Sequence, residues 1–137
     1  MRGEGEGHSE EGGPEAVFVK VRRAFTVGAV LLLLFLFIVP SLYLGAQCAA
    51  LDQLTDRVLS GDQAAYKALT KRYEAMRRRA ELFLDHRVMD DATVPLKLMG
   101  VYLDVDDSPA LLAAATEFRQ ALACMLAIET GDLRLLL

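Results

Sequence analysis

The sequence predicts an all-α protein in which a single N-terminal transmembrane helix is followed by a small antiparallel helical hairpin or bundle. Three observations lead to this prediction. Residues 24–51 contain no charged side chain. Further along, apolar residues recur in alternating steps of three and four, which is the spacing of one face of a helix. With 137 residues, 53% of them hydrophobic, the chain is too apolar to be disordered and too short for more than one ordinary domain.

Residues 1–23 are predicted to form a disordered cytoplasmic tail. The first fifteen residues, MRGEGEGHSEEGGPE, consist mostly of Gly and Glu and offer too little apolar surface to offset the entropy of ordering. His8 has no second His or Cys nearby, so we interpret it as a solvated side chain and not as a metal ligand.

The transmembrane helix is predicted to occupy residues 24–51. Its densest part, Val30–Val39, reads VLLLLFLFIV. The segment Phe25–Leu44 is already long enough to cross a hydrocarbon core of about 30 Å, because a helix rises about 1.5 Å per residue. Pro40 removes one backbone donor and is expected to kink the second half of this helix.

Three alternatives for the apolar run fit the sequence less well. The acidic leader and the length of the run are untypical of a cleavable signal peptide, so a retained signal anchor is predicted. A lipoprotein site at Cys48 is disfavoured by Gln47, because such processing sites have a small residue there. A buried helix of a soluble protein would need cover on all sides, which the short segment after Leu51 is too small to supply.

The charges that flank the apolar run predict its orientation. The run is preceded by a basic cluster and followed by two aspartates: Lys20, Arg22 and Arg23, then Asp52 and Asp56. The positive-inside rule therefore places the N-terminus in the cytoplasm and residues 52–137 in an extracytoplasmic helical domain. Further basic residues between positions 67 and 79 lie mostly beyond the distance at which loop charges steer topology.

Two helices with apolar seams are predicted after the membrane segment. Ser60 and Gln63 have the spacing of a capping box and predict the first helix start. Its seam consists of Tyr66, Leu69, Tyr73, Met76, Ala80 and Phe83. Ser108 as N-cap, Pro109 in the first turn and Gly131 as C-cap delimit the last helix. The seam of that helix consists of Leu111, Ala115, Phe118, Leu122, Met125 and Glu129.

The segment between these helices is harder to assign. Asp90–Thr93 and Pro95 interrupt the helical pattern, since Pro disfavours helical geometry in the residue before it. Residues 96–105 fit either a short helix or a strand by spacing. We interpret them as a short helix, because an isolated strand would have no partner in this chain. The two seams are then expected to pack on each other as an antiparallel hairpin.

The sequence contains no motif typical of catalysis or cofactor binding. It lacks a Gly-rich phosphate loop, a CxxC pair and a HExxH helix, and it has a single histidine outside the tail, His86. We therefore predict no enzymatic activity, no catalytic residues and no cofactor. Neither half of the chain has the basic excess of a nucleic-acid binder, so no nucleic-acid partner is predicted. Cys48 and Cys124 permit a single disulfide.

Two acidic clusters are weak metal candidates. Asp104, Asp106 and Ser108 match the first oxygen positions of a calcium loop, but Pro and Ala stand where that loop needs Gly and Glu. The other cluster consists of Asp85, His86, Asp90 and Asp91, and it lacks a second nitrogen ligand. Acids placed near helix ends explain both clusters, so no metal site is predicted.

The consecutive residues Arg77, Arg78 and Arg79 are the candidate contact with an anionic partner. Lipid headgroups, a phosphorylated glycan or an acidic protein all carry the complementary charge. The alternative is that these arginines form the solvated face of a helix whose apolar seam lies elsewhere.

Several short pieces of the sequence match one family pattern. They are Tyr43 after the apolar run, Leu51–Val58 (LDQLTDRV), Arg78–Phe83 (RRAELF) and the stretch from Leu126–Glu129 to Asp132–Arg134. Together they resemble the LemA family, whose members have one N-terminal membrane helix followed by a long helical bundle. Leu84 stands where the family motif has Pro, and the chain ends where the family adds another helix. The resemblance implies a divergent or truncated member that is not an enzyme.

These observations favour a single-pass scaffold or interaction protein of the cell envelope. A helical segment this short buries only about 60% of its unfolded surface and gains stability from association. The predicted partners are therefore the lipid bilayer together with copies of the chain or an envelope protein. The alternative is a membrane-tethered sensor or binding module that reads an anionic ligand through its basic helix.

Overall fold

The structure, a computed structural model, describes residues 13–131 apart from the side chain of Thr130. Within these residues it contains four helices and no strand, so the all-α prediction is confirmed. The helices are α1 (Pro14–Leu59), α2 (Gln63–Ala80), α3 (His86–Asp104) and α4 (Ser108–Thr130). His8, most of the predicted tail and the apolar C-terminal stretch 133–137 lie outside the described residues.

The first of two compact units comprises residues 1–37, of which the structure describes the helical part 14–37. The structure begins α1 at Pro14, within the tail that the sequence analysis predicts to be disordered up to residue 23. Pro14 is suited to a first helical turn because its missing N–H is not needed there, and Glu15 complements the helix dipole. The apolar side chains of this unit are exposed around the whole helix.

Two helices are apolar and long enough to cross a membrane by length and composition: α1 and the Ser108–Glu129 part of α4. They differ in burial. The most apolar window of α1 is almost fully exposed, whereas α4 places Leu111, Phe118 and Met125 in the core of the second unit. Of the two, α1 is therefore the one whose most apolar window is almost uncovered within the described residues.

The second unit comprises residues 38–137 and is described as far as Gly131. It is a bundle formed by the last part of α1 with α2, α3 and α4. Leu44, Leu51 and Val58 of α1 are fully buried in its core. Leu44 and Leu51, in the last third of the predicted transmembrane helix, therefore lie in the core of the bundle. The uncharged and largely uncovered stretch is 24–43.

Contacts join neighbouring helices of the bundle and also connect α4 back to α1. Arg72 Nε of α2 donates to Gln47 Oε1 of α1 at 3.0 Å. Tyr66 and Tyr73 of α2 donate their hydroxyl protons to the carbonyl oxygens of Leu96 and Met89 of α3. Arg119 of α4 forms ion pairs with Asp52 and Asp56 of α1. Hydrogen bonds to these two carboxylates raise the Arg119 pKa.

The predicted seams form the core. Leu69, Tyr73, Met76 and Ala80 of α2 are buried, as are Leu111, Ala115, Phe118, Leu122 and Met125 of α4. Two seam predictions are wrong at their ends. Phe83 lies beyond the end of α2 and is exposed, and Glu129 is only half buried. A helix that stops at Ala80 no longer carries Phe83 on its buried face.

The largest departure from the sequence prediction is α3, a continuous helix of 19 residues where a break and a short helix were expected. Pro95 lies inside it and is buried. The helix begins at an N-cap, Asp85, whose carboxylate accepts from Arg87 N at 3.1 Å. A buried stripe continues through the proline: Met89, Ala92, Leu96 and Met99. Packing of this stripe outweighs the helix hydrogen bond that Pro95 removes.

Both predicted N-caps are shifted by one or two residues. Asp62, and not Ser60, caps α2 by accepting from Ala65 N at 3.0 Å. This backbone hydrogen bond, with Arg57 at 2.7 Å, lowers the Asp62 pKa. Asp107, and not Ser108, caps α4. A carboxylate accepts strongly from the N–H three residues on, which favours Asp over the adjacent serine. The predicted C-cap is confirmed, since Gly131 is left-handed.

Candidate functional site

The arginine-rich region predicted from the sequence lies at one end of the bundle, where α2 ends and α3 begins. We call residues 78–83 the α2–α3 tip. Its backbone is held by hydrogen bonds from Glu81 N to Arg77 O at 2.9 Å and from Leu84 N to Ala80 O at 2.7 Å. Leu84 is buried in the core, whereas Leu82 is 86% exposed and Phe83 42% exposed. The tip therefore presents two large apolar side chains to its surroundings.

Arg77 is engaged within the bundle. Its guanidinium forms ion pairs with Glu81 at 3.0 Å and Asp90 at 3.1 Å, and it donates to Thr93 Oγ1 at 3.3 Å. The hydrogen bond to Glu81, together with the charge of Asp90, raises the Arg77 pKa. Arg77 therefore links α2 to α3, and two carboxylates already occupy its donors.

Arg79 points to α1 instead. Its Nη1 donates to Tyr43 Oη at 3.3 Å, and its Cζ lies 5.7 Å from the centroid of the Tyr43 ring. This geometry combines a hydrogen bond with a cation–π contact. Both side chains keep part of their surface accessible, since Arg79 is exposed and Tyr43 half buried.

Arg78 is exposed and has no hydrogen bond or ion pair to any residue in the described range 13–131. The three predicted contact residues therefore face different surroundings. Arg78 and Arg79 share the exposed surface of the tip, whereas Arg77 faces α3. The sequence alone does not reveal this division, because it depends on where Asp90 and Tyr43 lie in the fold.

Leu82 and Phe83 were not identified as a site from the sequence. The sequence pattern places Phe83 in the apolar seam and predicts no role for Leu82. A signal was present, however, because three consecutive large apolar residues, 82–84, follow a run of arginines. Only one of the three can occupy the core position at a helix end, and the structure shows that it is Leu84.

Neither acidic cluster gathers ligands for a metal in the described part of the chain. There the structure contains no group of three or more His, Cys, Asp or Glu side chains arranged to hold a metal ion. Asp104 accepts from Gln63 Nε2 at 3.3 Å, while Asp85 caps α3 and Asp90 pairs with Arg77. Each of these carboxylates has a structural partner.

Both cysteines are free thiols, so the disulfide that the sequence permits is not formed. Cys48 of α1 lines a groove with Gly45, Leu122 and Leu126, between α1 and α4. Cys124 lines a different groove, with Val88, between α3 and α4. The two thiols therefore face different parts of the surface.

A second exposed feature is an apolar stripe on the outer face of α3, which we call the α3 stripe. It consists of Val94, Leu98 and Val101, together with the C-cap residue that follows the helix, Val105. The spacing of four, three and four residues places them on one side of a helix. Leu98 is half buried, whereas the three valines are more than half exposed. This stripe is separate from the buried stripe of the same helix.

No protein-family model, no curated protein and no solved structure matches this chain. The fold and the two surfaces therefore rest on the sequence and the structure alone, and the resemblance to the LemA family stays a prediction.

Proposed function

We propose that this protein is a single-pass, membrane-anchored helical scaffold of the cell envelope, without catalytic activity. In this proposal α1 crosses the bilayer with its N-terminus in the cytoplasm. The bundle stands on the extracytoplasmic side and assembles with another copy of the chain. The LemA-like resemblance agrees with this arrangement, since an anchor followed by a helical bundle is what that family implies.

The membrane anchor is supported by residues 24–43. This stretch is uncharged, its apolar side chains are exposed, and at about 1.5 Å per residue it matches a hydrocarbon core of about 30 Å. Arg22 and Arg23 precede it directly, where the positive-inside rule favours the cytoplasm. Transfer of such a stretch from water to lipid is strongly favourable, which supports a membrane over an aqueous environment.

The α3 stripe is the observation that carries the scaffold function. The seams of α2 and α4 are already used inside the bundle, so they offer no surface for assembly. Val94, Val101 and Val105 instead form a straight apolar line on the outer face of α3. Two antiparallel copies of such a line pack as helices do at a two-fold interface. We therefore favour a second copy of the chain as the occupant, and an envelope protein is the alternative.

Crosslinking of the full chain in native membranes tests this function. We expect discrete dimers or small oligomers for the wild type. The triple variant Val94→Ser, Val101→Ser, Val105→Ser should lose them, because serine removes the apolar surface that the interface buries. A matched control replaces three exposed alanines elsewhere, Ala68→Ser, Ala75→Ser and Ala113→Ser, and should crosslink like the wild type.

Two results of this experiment would contradict the scaffold function. One is a wild-type chain that stays strictly monomeric and forms no adduct with another protein. The other is a triple serine variant that crosslinks as efficiently as the control. A single adduct whose mass is not a multiple of the chain's own mass, and which the triple serine variant loses, would indicate an envelope protein in place of a second copy.

A second candidate function is a membrane-tethered module that recognises an anionic ligand. It is favoured by the exposure of Arg78 and Arg79, which have their charges available at the α2–α3 tip. Arg77 contributes little to such a site, because Glu81 and Asp90 already neutralise it. The ligand that best fits this surface follows from the position of the tip along α1.

A further inference from the structure

We propose that the α2–α3 tip is a second membrane contact, in which Leu82 and Phe83 insert into the headgroup boundary of the leaflet from which α1 emerges, while Arg78 and Arg79 bind anionic lipid headgroups. The contact orients the bundle relative to the bilayer. This inference rests on the proposed function, because it requires α1 to cross the membrane.

The position of the tip is set by Tyr43. Arg79 contacts both the hydroxyl and the ring of Tyr43, so the tip lies beside this residue of α1. Tyr43 is also the last residue of the uncharged, largely uncovered stretch 24–43, and the next residue, Leu44, is fully buried in the bundle. A bilayer crossed by that stretch therefore has its boundary at the level of the tip. Tyrosine is enriched at such boundaries.

The apolar character of the tip fits this level. Leu82 and Phe83 are adjacent and both are exposed, in the short turn that joins α2 to α3. Single exposed apolar residues are common on protein surfaces, but adjacent large ones form an apolar patch of the kind that marks interaction sites. Side chains of this kind at a headgroup boundary place their apolar parts next to acyl chains.

The charge of the tip fits an anionic membrane surface. Arg78, Arg79 and, in the first turn of α3, Arg87 are exposed. The nearby acids have structural partners, since Glu81 binds Arg77 and Asp85 caps α3. Within the tip itself, residues 78–83, two arginines stand against one acid, Glu81, which is paired with Arg77. Basic residues next to a membrane boundary are attracted to anionic lipids.

The opposite end of the bundle has the reverse character. The turn between α3 and α4 carries three acidic residues, Asp104, Asp106 and Asp107, and an anionic surface repels them. An anionic membrane surface therefore attracts the basic α2–α3 tip and repels the acidic α3–α4 turn. A lipid surface is favoured over a second copy at the tip, because a second copy presents the same positive charge there.

Tryptophan reporters in the full chain test the contact, and the natural sequence contains no Trp. The chain is reconstituted in vesicles of equal parts phosphatidylcholine and phosphatidylglycerol, with and without brominated acyl chains that quench Trp on contact. We expect Leu82→Trp to show blue-shifted emission and strong quenching. Leu112→Trp, near the start of α4 beside the acidic turn and 56% exposed, lies outside the α3 stripe and should show neither.

The role of the arginines is tested by adding Arg78→Gln and Arg79→Gln to the Leu82→Trp chain. Loss of two charges next to an anionic leaflet is expected to lower the ratio of inserted to withdrawn tip by roughly thirtyfold, at about 1 kcal/mol for each charge. Quenching should then fall toward the Leu112→Trp level. The matched control, Lys67→Gln with Lys71→Gln on the same helix, should leave quenching unchanged, because these exposed lysines lie further from Tyr43 along α2.

Phe37→Trp, within the proposed membrane span, distinguishes a failure of the membrane anchor from a failure of the second contact. If Phe37→Trp is unquenched, the membrane anchor itself fails. If Phe37→Trp is quenched while Leu82→Trp is as unquenched as Leu112→Trp, the anchor stands and the second contact is overturned. Blue-shifted but unquenched Leu82→Trp would also overturn it, in favour of a second protein copy at the tip. If Arg78→Gln and Arg79→Gln leave the quenching of Leu82→Trp unchanged, the proposed contact between the arginines and lipid headgroups is overturned.

Discussion

Phe118→Ala is expected to lower the free energy of unfolding of the bundle by about 3–5 kcal/mol. Phe118 is fully buried, and its ring meets that of Tyr73 edge-on, with centroids 5.7 Å apart and planes at 72°. Truncation removes the transfer free energy of the ring, leaves a cavity and removes a favourable aromatic pair. Small domains are stable by only about 5–15 kcal/mol in total.

Thermal unfolding of the full chain in detergent, followed by far-ultraviolet circular dichroism, measures this effect. A loss of this size lowers the Tm by at least about 10 °C in a domain of this length. Leu112→Ala is the matched control on the same helix, because Leu112 is exposed and its truncation should change stability by about 0.5 kcal/mol or less. Equal Tm values for the two variants would show that α2 and α4 do not share a core at Phe118.

Gly100→Ala is expected to destabilise the bundle, although the same change inside an ordinary helix stabilises by roughly 1 kcal/mol. The reason is the close approach of Tyr66. A Cβ at position 100 would lie 2.6 Å from Tyr66 Cζ and 2.9 Å from Cε1, and it would also meet the hydroxyl. The hydroxyl donates to Leu96 O at 3.1 Å, which holds the ring in place. Overpacking of this kind typically costs about 1–3 kcal/mol.

The decisive comparison for Gly100 uses a second background. In Tyr66→Ala the ring is absent, so Gly100→Ala should now raise the Tm through its better helix propensity. The sign of the effect therefore reverses between the two backgrounds. A Gly100→Ala change that stabilises the wild type would mean that α2 and α3 do not approach as closely as the structure places them.

The sequence predicts those parts of the fold that depend on local pattern. The seams of α2 and α4 follow helical spacing, and most of their residues are buried as predicted, with Tyr73 and Phe118 in contact. Gly131 ends α4 as predicted because a left-handed C-cap favours glycine. These features need no knowledge of which helix packs on which.

The features that the sequence does not predict depend on tertiary contacts. Pro95 indicates a break when considered alone, but the buried stripe of α3 keeps the helix continuous around it. Hydropathy predicts a membrane boundary at Leu51, because hydropathy does not distinguish a residue that faces lipid from a residue in a protein core. Leu44 and Leu51 are covered by the bundle, so the exposed apolar stretch ends at Tyr43.

The candidate site shows the same limit. Three consecutive arginines suggest one basic surface, yet the surroundings of each are set by residues distant in sequence. Asp90 lies 13 positions after Arg77, and Tyr43 lies 36 positions before Arg79. The exposure of Leu82 likewise depends on Leu84 taking the core position at the end of α2. Contacts between helices therefore decide that Arg77 stabilises the bundle, whereas Arg78 and Arg79 remain accessible to a partner.

The most direct test of the membrane-anchored arrangement is to determine on which side of the membrane the residues before and after the proposed span lie. The native Cys124 is half buried and would report burial as well as side, so Ser9→Cys and Leu112→Cys, at an exposed position outside the α3 stripe, are compared singly in a chain lacking both native cysteines. A membrane-impermeant maleimide should label Leu112→Cys in intact cells, and it should label Ser9→Cys only after permeabilisation. Labelling of both positions from the same side of the membrane would contradict a helix that crosses the bilayer between them.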